Sequence, residues 1–332
     1  MAKHTMQGKA FEYACLRAIE RKLNELDKAV NVDASTETAK KAFTKAQKYY
    51  DELSVAEQNN YDRAAEAATN VIFPLEPQME HGEGTIFLSI MPDAAGQGPN
   101  SDVRDVLCVR TKTDKGSWEI GLSCKHNHLG VKHPRITEAK DFGKAWLGYP
   151  CSKTFMTRMD EITEPIGKLQ QDGKLWSEIP DKWQRFYQPT LEAFIEEFRS
   201  ICDKHEDAPA KLLSYFFGSN DFYKVISDER REVTHIQAFN INGTLNRPAG
   251  NIKPVTKVRK IKLPTRLIDA AFKVNNNGTV SMTTIVLTFD EGWAVSLRLH
   301  NKDNKIKTTG LSFEVELVGM ASGTYQDHKA WD

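Results

Sequence analysis

The sequence has few cysteines, no long apolar run and no excess of charge of either sign. Only five of its 332 residues are cysteine, and no two of them form a Cys-x-x-Cys pair. We therefore expect no zinc site and mostly buried, free thiols. No apolar run approaches the roughly 18 residues that a membrane span needs, and the N-terminus has no apolar core of the kind found in signal peptides. These absences favour a reduced cytoplasmic protein.

The overall charge gives no indication of a partner. Lysine plus arginine and aspartate plus glutamate both number 45, so the formal net charge is zero. Any surface for nucleic acid must therefore be local. Residues 251–266 are such a stretch, because they contain six basic residues and no acidic one. This composition is typical of a phosphate-binding surface, and a solvated edge strand is the equally open alternative.

The N-terminal part of the chain favours helices. Residues 8–27 repeat apolar side chains at helical spacing, and Glu12 falls on the apolar face. A carboxylate there must be paired, hydrogen-bonded or metal-bound, because a bare buried charge is expensive. An active-site role and a structural salt bridge are both open. Residues 35–70 predict two more helices, which meet near Ser54, where a capping box begins.

The rest of the chain predicts helices followed by strands, and the fold class that we expect is α/β. A helix is expected from Pro189, and residues 211–226 are predicted to be another helical core segment. Residues 279–289 and 293–300 flank a turn and predict a hairpin. In its second strand the apolar residues alternate with Ser296, Arg298 and His300. A strand with such a polar face could read base edges in DNA.

A second hairpin is predicted around residues 114–116, which are turn formers between two apolar runs. If the turn is centred near residue 115, facing residues have numbers that sum to about 230, and Asp105 lies opposite Lys125. Ser123 and Lys125 share one face because side chains alternate along a strand. A carboxylate facing an ammonium group can gather a divalent metal, a water and a phosphate.

This pairing suits phosphodiester cleavage. That reaction needs a metal to polarise the phosphate, carboxylates to hold the metal, and a cation to stabilise the developing charge. Asp105 and Lys125 supply two of these groups, but a magnesium site normally has more oxygen ligands than one carboxylate. Asp102 is a rival to Asp105, although it lies outside the expected register. The candidates for the second metal ligand are Glu12, Glu119 and Glu138.

Basic and hydrogen-bonding side chains follow Lys125 directly. An ordinary polar loop is the alternative to a DNA-contacting one, and a lone His-x-His is a weak metal signal. The candidate DNA contacts are His126, Asn127, His128, Lys132, Arg135, Arg298, His300 and Asn301.

At these residues the sequence resembles the PD-(D/E)xK nuclease superfamily, and more narrowly the type II restriction endonucleases of the HaeIII type. The resemblance covers most of the chain, and the order and spacing of its short motifs carry it. The matching stretches are residues 7–14, 102–106, 121–128, 131–136, 141–146 and 289–293, with Ser296, Arg298, His300 and Asn301 beyond them.

The resemblance implies a mixed sheet flanked by helices, with a nuclease core and inserted helices over residues 1–240 and a β-rich DNA-recognition segment over 241–332. It implies Mg²⁺-dependent cleavage of double-stranded DNA at a short palindrome, which is GGCC for the type enzyme. A homodimer on that palindrome, a cognate DNA methyltransferase as functional partner and no membrane association follow from the same resemblance. Asp105 would carry the metal, Lys125 would be the catalytic lysine, and Ser123 and Glu12 would complete the catalytic set.

One residue departs from the superfamily pattern. Ser123 stands two positions before the lysine, where the superfamily has an acidic residue, and a hydroxyl is a poor magnesium ligand. Glu12 therefore ranks first as compensating ligand, while Glu138 fits the spacing of a Ser-x-Lys variant. The rival interpretations are a structure-specific repair or recombination nuclease and a non-catalytic DNA-binding protein. A Ser123–Lys125 acyl-transfer dyad is weaker because the tight nucleophile turn is missing.

Overall fold

The computed structural model of the chain describes residues 3–33, 35–92, 102–110, 117–127 and 130–332. The chain forms two compact units. Unit 1 comprises Met1–Leu129, Ser219–Ile261 and Gly323–Asp332, and unit 2 comprises Gly130–Gly218 and Lys262–Ser322. The units thus interleave along the chain, whereas the expected functional division at residue 240 stays a prediction. His128 and the turn residues 114–116 lie outside the described residues.

The helices of the described residues occupy the first two thirds of the chain. Those in unit 1 are α1 (Lys3–Glu25), α2 (Glu37–Asp51), α3 (Val55–Leu75) and α4 (Pro77–His81). Those in unit 2 are α5 (Ile136–Ala139), α6 (Lys153–Gln171), α7 (Gln188–Lys204) and α8 (Ala208–Phe217), with π-helical turns at Gly143–Leu147 and Trp183–Tyr187 and 3-10 turns at Trp176–Glu178 and Asp290–Gly292. None of these helices has the length and apolar character needed to cross a membrane.

The strands of the described residues are also divided between the two units. The first six are β1 (Val30–Val32), β2 (Ile86–Ile90), β3 (Val106–Arg110), β4 (Trp118–His126), β5 (Gly130–Lys132) and β6 (Phe222–Asp228). The others are β7 (Val233–Phe239), β8 (Leu267–Val274), β9 (Val280–Phe289), β10 (Ala294–Asn301), β11 (Leu311–Gly319) and β12 (Gln326–Ala330).

Unit 1 is built on a seven-stranded mixed sheet in the order β1-β2-β3-β4-β6-β7-β12. The β1–β2 and β4–β6 pairs are parallel, and the other pairs are antiparallel. Helix α1 contributes Ala10, Phe11 and Leu16 to the core of this unit, all of them fully buried. The sheet therefore has a helical layer on it, and the ends of β3 and β4 hold the residues on which the prediction of a nuclease depends.

Local signals placed several of these elements correctly. The helix expected over residues 8–27 is α1. Ser54 caps α3 as expected, because its hydroxyl accepts the Glu57 amide and the Glu57 carboxylate accepts the Ser54 amide. All five cysteines are free thiols, and three of them are buried.

Unit 2 contains an antiparallel five-stranded sheet in the order β5-β11-β10-β9-β8. The expected hairpin is formed by β9 and β10, and the apolar face of β10 is buried as expected. Trp293 is fully buried, and its indole N–H donates to the Lys262 carbonyl at 2.7 Å. The α/β class with a mixed, helix-flanked sheet and a β-rich C-terminal part is thereby confirmed.

One predicted element is wrong. Residues 211–226 were expected to be helical throughout, but α8 ends at Phe217 and β6 begins at Phe222. Gly218, with φ +80°, ends the helix. Phe222 and Tyr223 begin β6, which is buried up to Ser227 and pairs with β4 and β7.

Candidate active site

Asp105, Ser123 and Lys125 come together where β3 begins and β4 ends. The strands are antiparallel, and their paired residues have numbers that sum to 228, as in Val106 opposite Leu122. One step further in the same pairing, Asp105 lies opposite Ser123. The expectation that Asp105 lies directly opposite Lys125 is therefore wrong by two residues. Lys125 lies two residues further along β4, on the same face, and reaches Asp105 diagonally.

One oxygen of Asp105 collects every hydrogen bond that the described residues give to this carboxylate. Asp105 Oδ2 accepts from Lys125 Nζ at 2.9 Å, from the Cys124 amide at 2.8 Å and from Ser123 Oγ at 3.4 Å. No described residue donates to Oδ1. The carboxylate is thus held firmly in one orientation, and its second oxygen remains available to a ligand.

Glu12 is a buried carboxylate near this pair. It lies on α1, is 5% exposed, and accepts from Lys9 Nζ at 2.8 Å. Burial, together with the negative charge of Asp105, raises the pKa of Glu12 to about 8, although Lys9 and Lys125 act in the opposite direction. A buried carboxyl group whose ionisation a neighbouring carboxylate disfavours is an arrangement that a bound cation relieves.

Lys125 is a cation in this setting. Burial alone would lower the pKa of its ammonium group, but the neighbouring Asp105 and Glu12 outweigh burial and raise the pKa above the ordinary value. A lysine of this kind stabilises negative charge or orients a water, and it is a poor proton acceptor at neutral pH.

The other acidic candidates form ion pairs of their own. Glu119 is four residues before Ser123 on β4, roughly 13 Å along the strand, and its carboxylate accepts from Arg104 at 2.7 Å. Asp102 also binds Arg104, with the closest contact at 2.7 Å. Glu138 belongs to unit 2, where it forms an ion pair with Arg135 at 2.7 Å. Of the candidates in unit 1, only Glu12 is brought into electrostatic contact with Asp105.

His126 and Asn127 follow Lys125 and use their polar atoms within unit 1. The His126 ring lies beside Phe11 and Tyr61, and its Nδ1 contacts Ser227 Oγ at 2.9 Å. Asn127 has φ +51°, and its side-chain oxygen accepts the Glu229 amide at 3.0 Å. These contacts fix the end of β4 against the end of β6.

The remaining candidates for DNA contact lie in unit 2, apart from His128. Lys132 lies over the Tyr215 ring, 3.7 Å from its centroid, and burial lowers the pKa of Lys132 to about 8. The Arg298 side chain is 55% exposed and paired with Glu314. Asn301 accepts the Tyr187 hydroxyl at 2.6 Å, and His300 is half-buried. Arg298 therefore presents the most accessible cation of the β10 polar face.

The donor set fits a divalent metal that keeps much of its water. Among the described residues no group of three or more histidine, cysteine, aspartate and glutamate side chains gathers into a ready metal cage. Asp105 nevertheless has an open oxygen, and Glu12 is a second carboxylate whose ionisation a cation would favour. Mg²⁺ is commonly bound through one or two carboxylates plus waters and substrate phosphate oxygens.

Several residues of this site were not found by sequence reasoning. Lys9 pairs with Glu12, and its position three residues earlier on the same helix was a usable signal. The Cys124 amide and the Arg104 side chain gave no such signal, because their contacts depend on how β3 meets β4. Gly121 belongs with them, since its lack of a side chain makes room for Arg104.

Comparisons with known proteins identify the family of the chain. A model of the HaeIII restriction endonuclease family matches residues 8–321. The type II restriction enzyme HaeIII of Haemophilus aegyptius is 34% identical over 319 residues, which cover 96% of this chain and 95% of that relative. No solved structure matches. The chain therefore belongs to the HaeIII restriction endonuclease family and is a type II restriction endonuclease, an enzyme that cleaves double-stranded DNA at a specific site.

Proposed function

We propose that this endonuclease hydrolyses DNA at GGCC with Mg²⁺ held by Asp105 and Glu12 and with Lys125 as the catalytic lysine. The observation that carries the proposal is the orientation of Asp105, whose Oδ2 is bonded to Lys125 at 2.9 Å while no described residue donates to Oδ1. The GGCC site rests on the likeness to HaeIII over nearly the whole chain.

Each residue has a separate task in this mechanism. When bound, the metal supplies a positive charge that polarises the scissile phosphate and lowers the pKa of a water. Asp105 Oδ1 and the Glu12 carboxylate would hold it. Lys125 keeps its proton and stabilises negative charge at the phosphate. Ser123 Oγ and the Cys124 amide hold Asp105 Oδ2 in place, so Ser123 serves as an orienting group where other members of the superfamily carry a carboxylate.

DNA contacts are proposed for the β-rich segment 241–332 and for the chain that follows β4. The exposed Arg298 can donate two parallel hydrogen bonds to a guanine edge once it leaves Glu314. His300, Asn301, Lys132 and Arg135 would contact bases or phosphates beside it. His128 keeps its proposed DNA contact, while His126 and Asn127 would hold the end of β4 in place through their contacts within unit 1.

The wider setting is also part of the proposal. A palindromic site is read by two copies related by a two-fold axis, so we propose a homodimer on DNA. A cognate methyltransferase would protect the host DNA, and both proteins would work in the cytoplasm. Methylated plasmid should therefore resist cleavage, and light scattering should detect two chains per duplex.

Digestion of a sequenced plasmid tests the catalytic proposal. The wild-type enzyme should give discrete fragments that end within GGCC, and EDTA should stop the reaction. Lys125→Ala should abolish cleavage and keep specific DNA binding, because the lysine acts on the reacting phosphate. Lys48→Ala, which alters an exposed lysine on α2, is the matched control and should cut normally. Cleavage by Lys125→Ala at the wild-type rate would refute the site, and fragments ending at another sequence would refute GGCC alone.

A further inference from the structure

Arg104 directly precedes Asp105 and is one of the few buried arginines of unit 1. It is 7% exposed. Its Nε donates to Asp102 Oδ1 at 2.9 Å, its Nη2 donates to Asp102 Oδ2 at 2.7 Å, and its Nη1 donates to Glu119 Oε1 at 2.7 Å. One planar guanidinium thus joins the segment that leads into β3 to Glu119, a side chain near the start of β4.

The path of the Arg104 side chain depends on Gly121. A Cβ atom at Gly121 would lie 2.1 Å from Arg104 Cδ and 2.6 Å from Arg104 Cγ. Gly121 precedes Ser123 by two residues, so the missing Cβ would point to the same face as Ser123 and Lys125. The alkyl part of Arg104 therefore crosses β4 on the catalytic face, in space that only glycine leaves open.

The segment 102–105 is held at both of its ends. At one end Asp102 accepts from the Arg104 amide at 3.0 Å and from Asn220 Nδ2 at 3.1 Å. At the other end the Asp105 amide donates to the Leu122 carbonyl at 2.7 Å. The two residues between these anchors have little freedom, so the direction of the Asp105 side chain follows from where Arg104 is held.

The bonds of Arg104 are strong ones. Burial would lower the pKa of its guanidinium, but the hydrogen bonds and charges of Asp102 and Glu119 outweigh burial and raise the pKa. Bidentate arginine–carboxylate pairs fix geometry as well as charge, and a lysine ammonium cannot copy the fork that reaches two carboxylates at once.

From this geometry we infer that Arg104, through its passage over Gly121 to Glu119, is a positioning residue that aims the Asp105 carboxylate for metal binding and cleavage. The inference rests on the proposed role of Asp105 as metal ligand. In this arrangement Asp102 and Glu119 hold Arg104 and do not bind the metal. A side chain at position 121 should impair cleavage, although Gly121 itself carries no functional group.

The test compares Arg104→Ala, Arg104→Lys and Gly121→Ala with Arg110→Ala. Arg110 is the matched control, because it lies at the end of β3 and is 1% exposed but donates to the backbone carbonyls of Gln78 and Met79. Three quantities are measured for each full-length variant: kcat per folded molecule, the DNA dissociation constant without metal, and the Mg²⁺ concentration at half-maximal thermal stabilisation.

We expect kcat to fall and the Mg²⁺ midpoint to rise about 10- to 100-fold in Arg104→Ala and Gly121→Ala, since residues that orient metal ligands have effects of this size. Arg104→Lys should recover thermal stability without recovering the Mg²⁺ midpoint. DNA binding should be unchanged in all of them, and Arg110→Ala should lose stability only.

Two results would overturn the inference. One is a wild-type kcat and Mg²⁺ midpoint in Arg104→Ala. The other is an equal rise of the midpoint in Arg110→Ala, which would mark a general effect of losing a buried arginine. Asp105→Asn separates this inference from the proposed site. If Asp105→Asn keeps cleavage and the wild-type Mg²⁺ midpoint, the metal site itself is refuted. If Asp105→Asn loses cleavage while Arg104→Ala is unaffected, only the positioning role of Arg104 is refuted.

Discussion

Replacing Glu12 by glutamine should make the metal-free enzyme more stable at alkaline pH. The pKa of Glu12 is about 8 in the folded chain, and in the unfolded chain this pKa has its ordinary value of 4.5. Between these values the unfolded chain has released a proton that the folded chain still holds. The free energy of unfolding therefore falls as pH rises from about 4.5 to about 8, and glutamine, which does not titrate, removes that fall.

The size of the effect follows from the pKa difference. Each pKa unit corresponds to about 1.4 kcal/mol, so the full window from 4.5 to about 8 gives at most about 5 kcal/mol. For 332 residues the unfolding entropy is about 0.7 kcal/mol per kelvin, which converts this upper limit to about 7 °C in Tm. Between pH 5 and pH 8 in EDTA, the Tm of wild type should therefore fall by up to about 7 °C more than the Tm of Glu12→Gln.

Thermal unfolding in EDTA and in saturating Mg²⁺ measures this difference. Mg²⁺ should raise the Tm of wild type more at pH 8 than at pH 5, because metal binding requires the ionised carboxylate. It should do little for Glu12→Gln. Glu66→Gln, on the exposed surface of α3, is the control and should follow the wild-type curve. Equal losses of Tm in wild type and Glu12→Gln from pH 5 to pH 8 would refute the reasoning.

Two further outcomes are expected. The basic segment of unit 1 exposes Lys253 and Lys257. If this segment contacts DNA phosphates, replacing both Lys253 and Lys257 by alanine should reduce the slope of log Kd against log salt by about 1.8, since each phosphate contact contributes about 0.9. Binding assays at several salt concentrations measure this slope, and an unchanged slope would mean that the segment is an ordinary solvated surface. Trp293→Ala should lower the free energy of unfolding by about 3–5 kcal/mol, because a fully buried indole and its hydrogen bond to the Lys262 carbonyl are lost. Urea denaturation measures this change. A loss below about 1 kcal/mol, which is the size expected for a surface substitution, would contradict the packing described for unit 2.

The sequence by itself determined the elements whose signals are local. Apolar spacing located α1 and placed Glu12 on its buried face, and the capping box located the start of α3 at Ser54. Alternation identified β10 and its buried side. The contact between Asp105 and Lys125 could also be predicted, because the two residues lie twenty positions apart on a hairpin that local signals indicate.

Tertiary structure decided everything that depends on contacts between distant parts of the chain. The register of β3 on β4 differs by two residues from the expected one, so Ser123 and not Lys125 lies opposite Asp105. Residues 222–226 could follow helical spacing in the sequence and still form a strand, because β4, a hundred residues earlier, offers a parallel partner. The route of Arg104 over Gly121 likewise has no sequence signal. A periodic pattern reports which side of an element is buried, but register and side-chain paths are set by the surfaces that pack together, and those surfaces exist only in the folded chain.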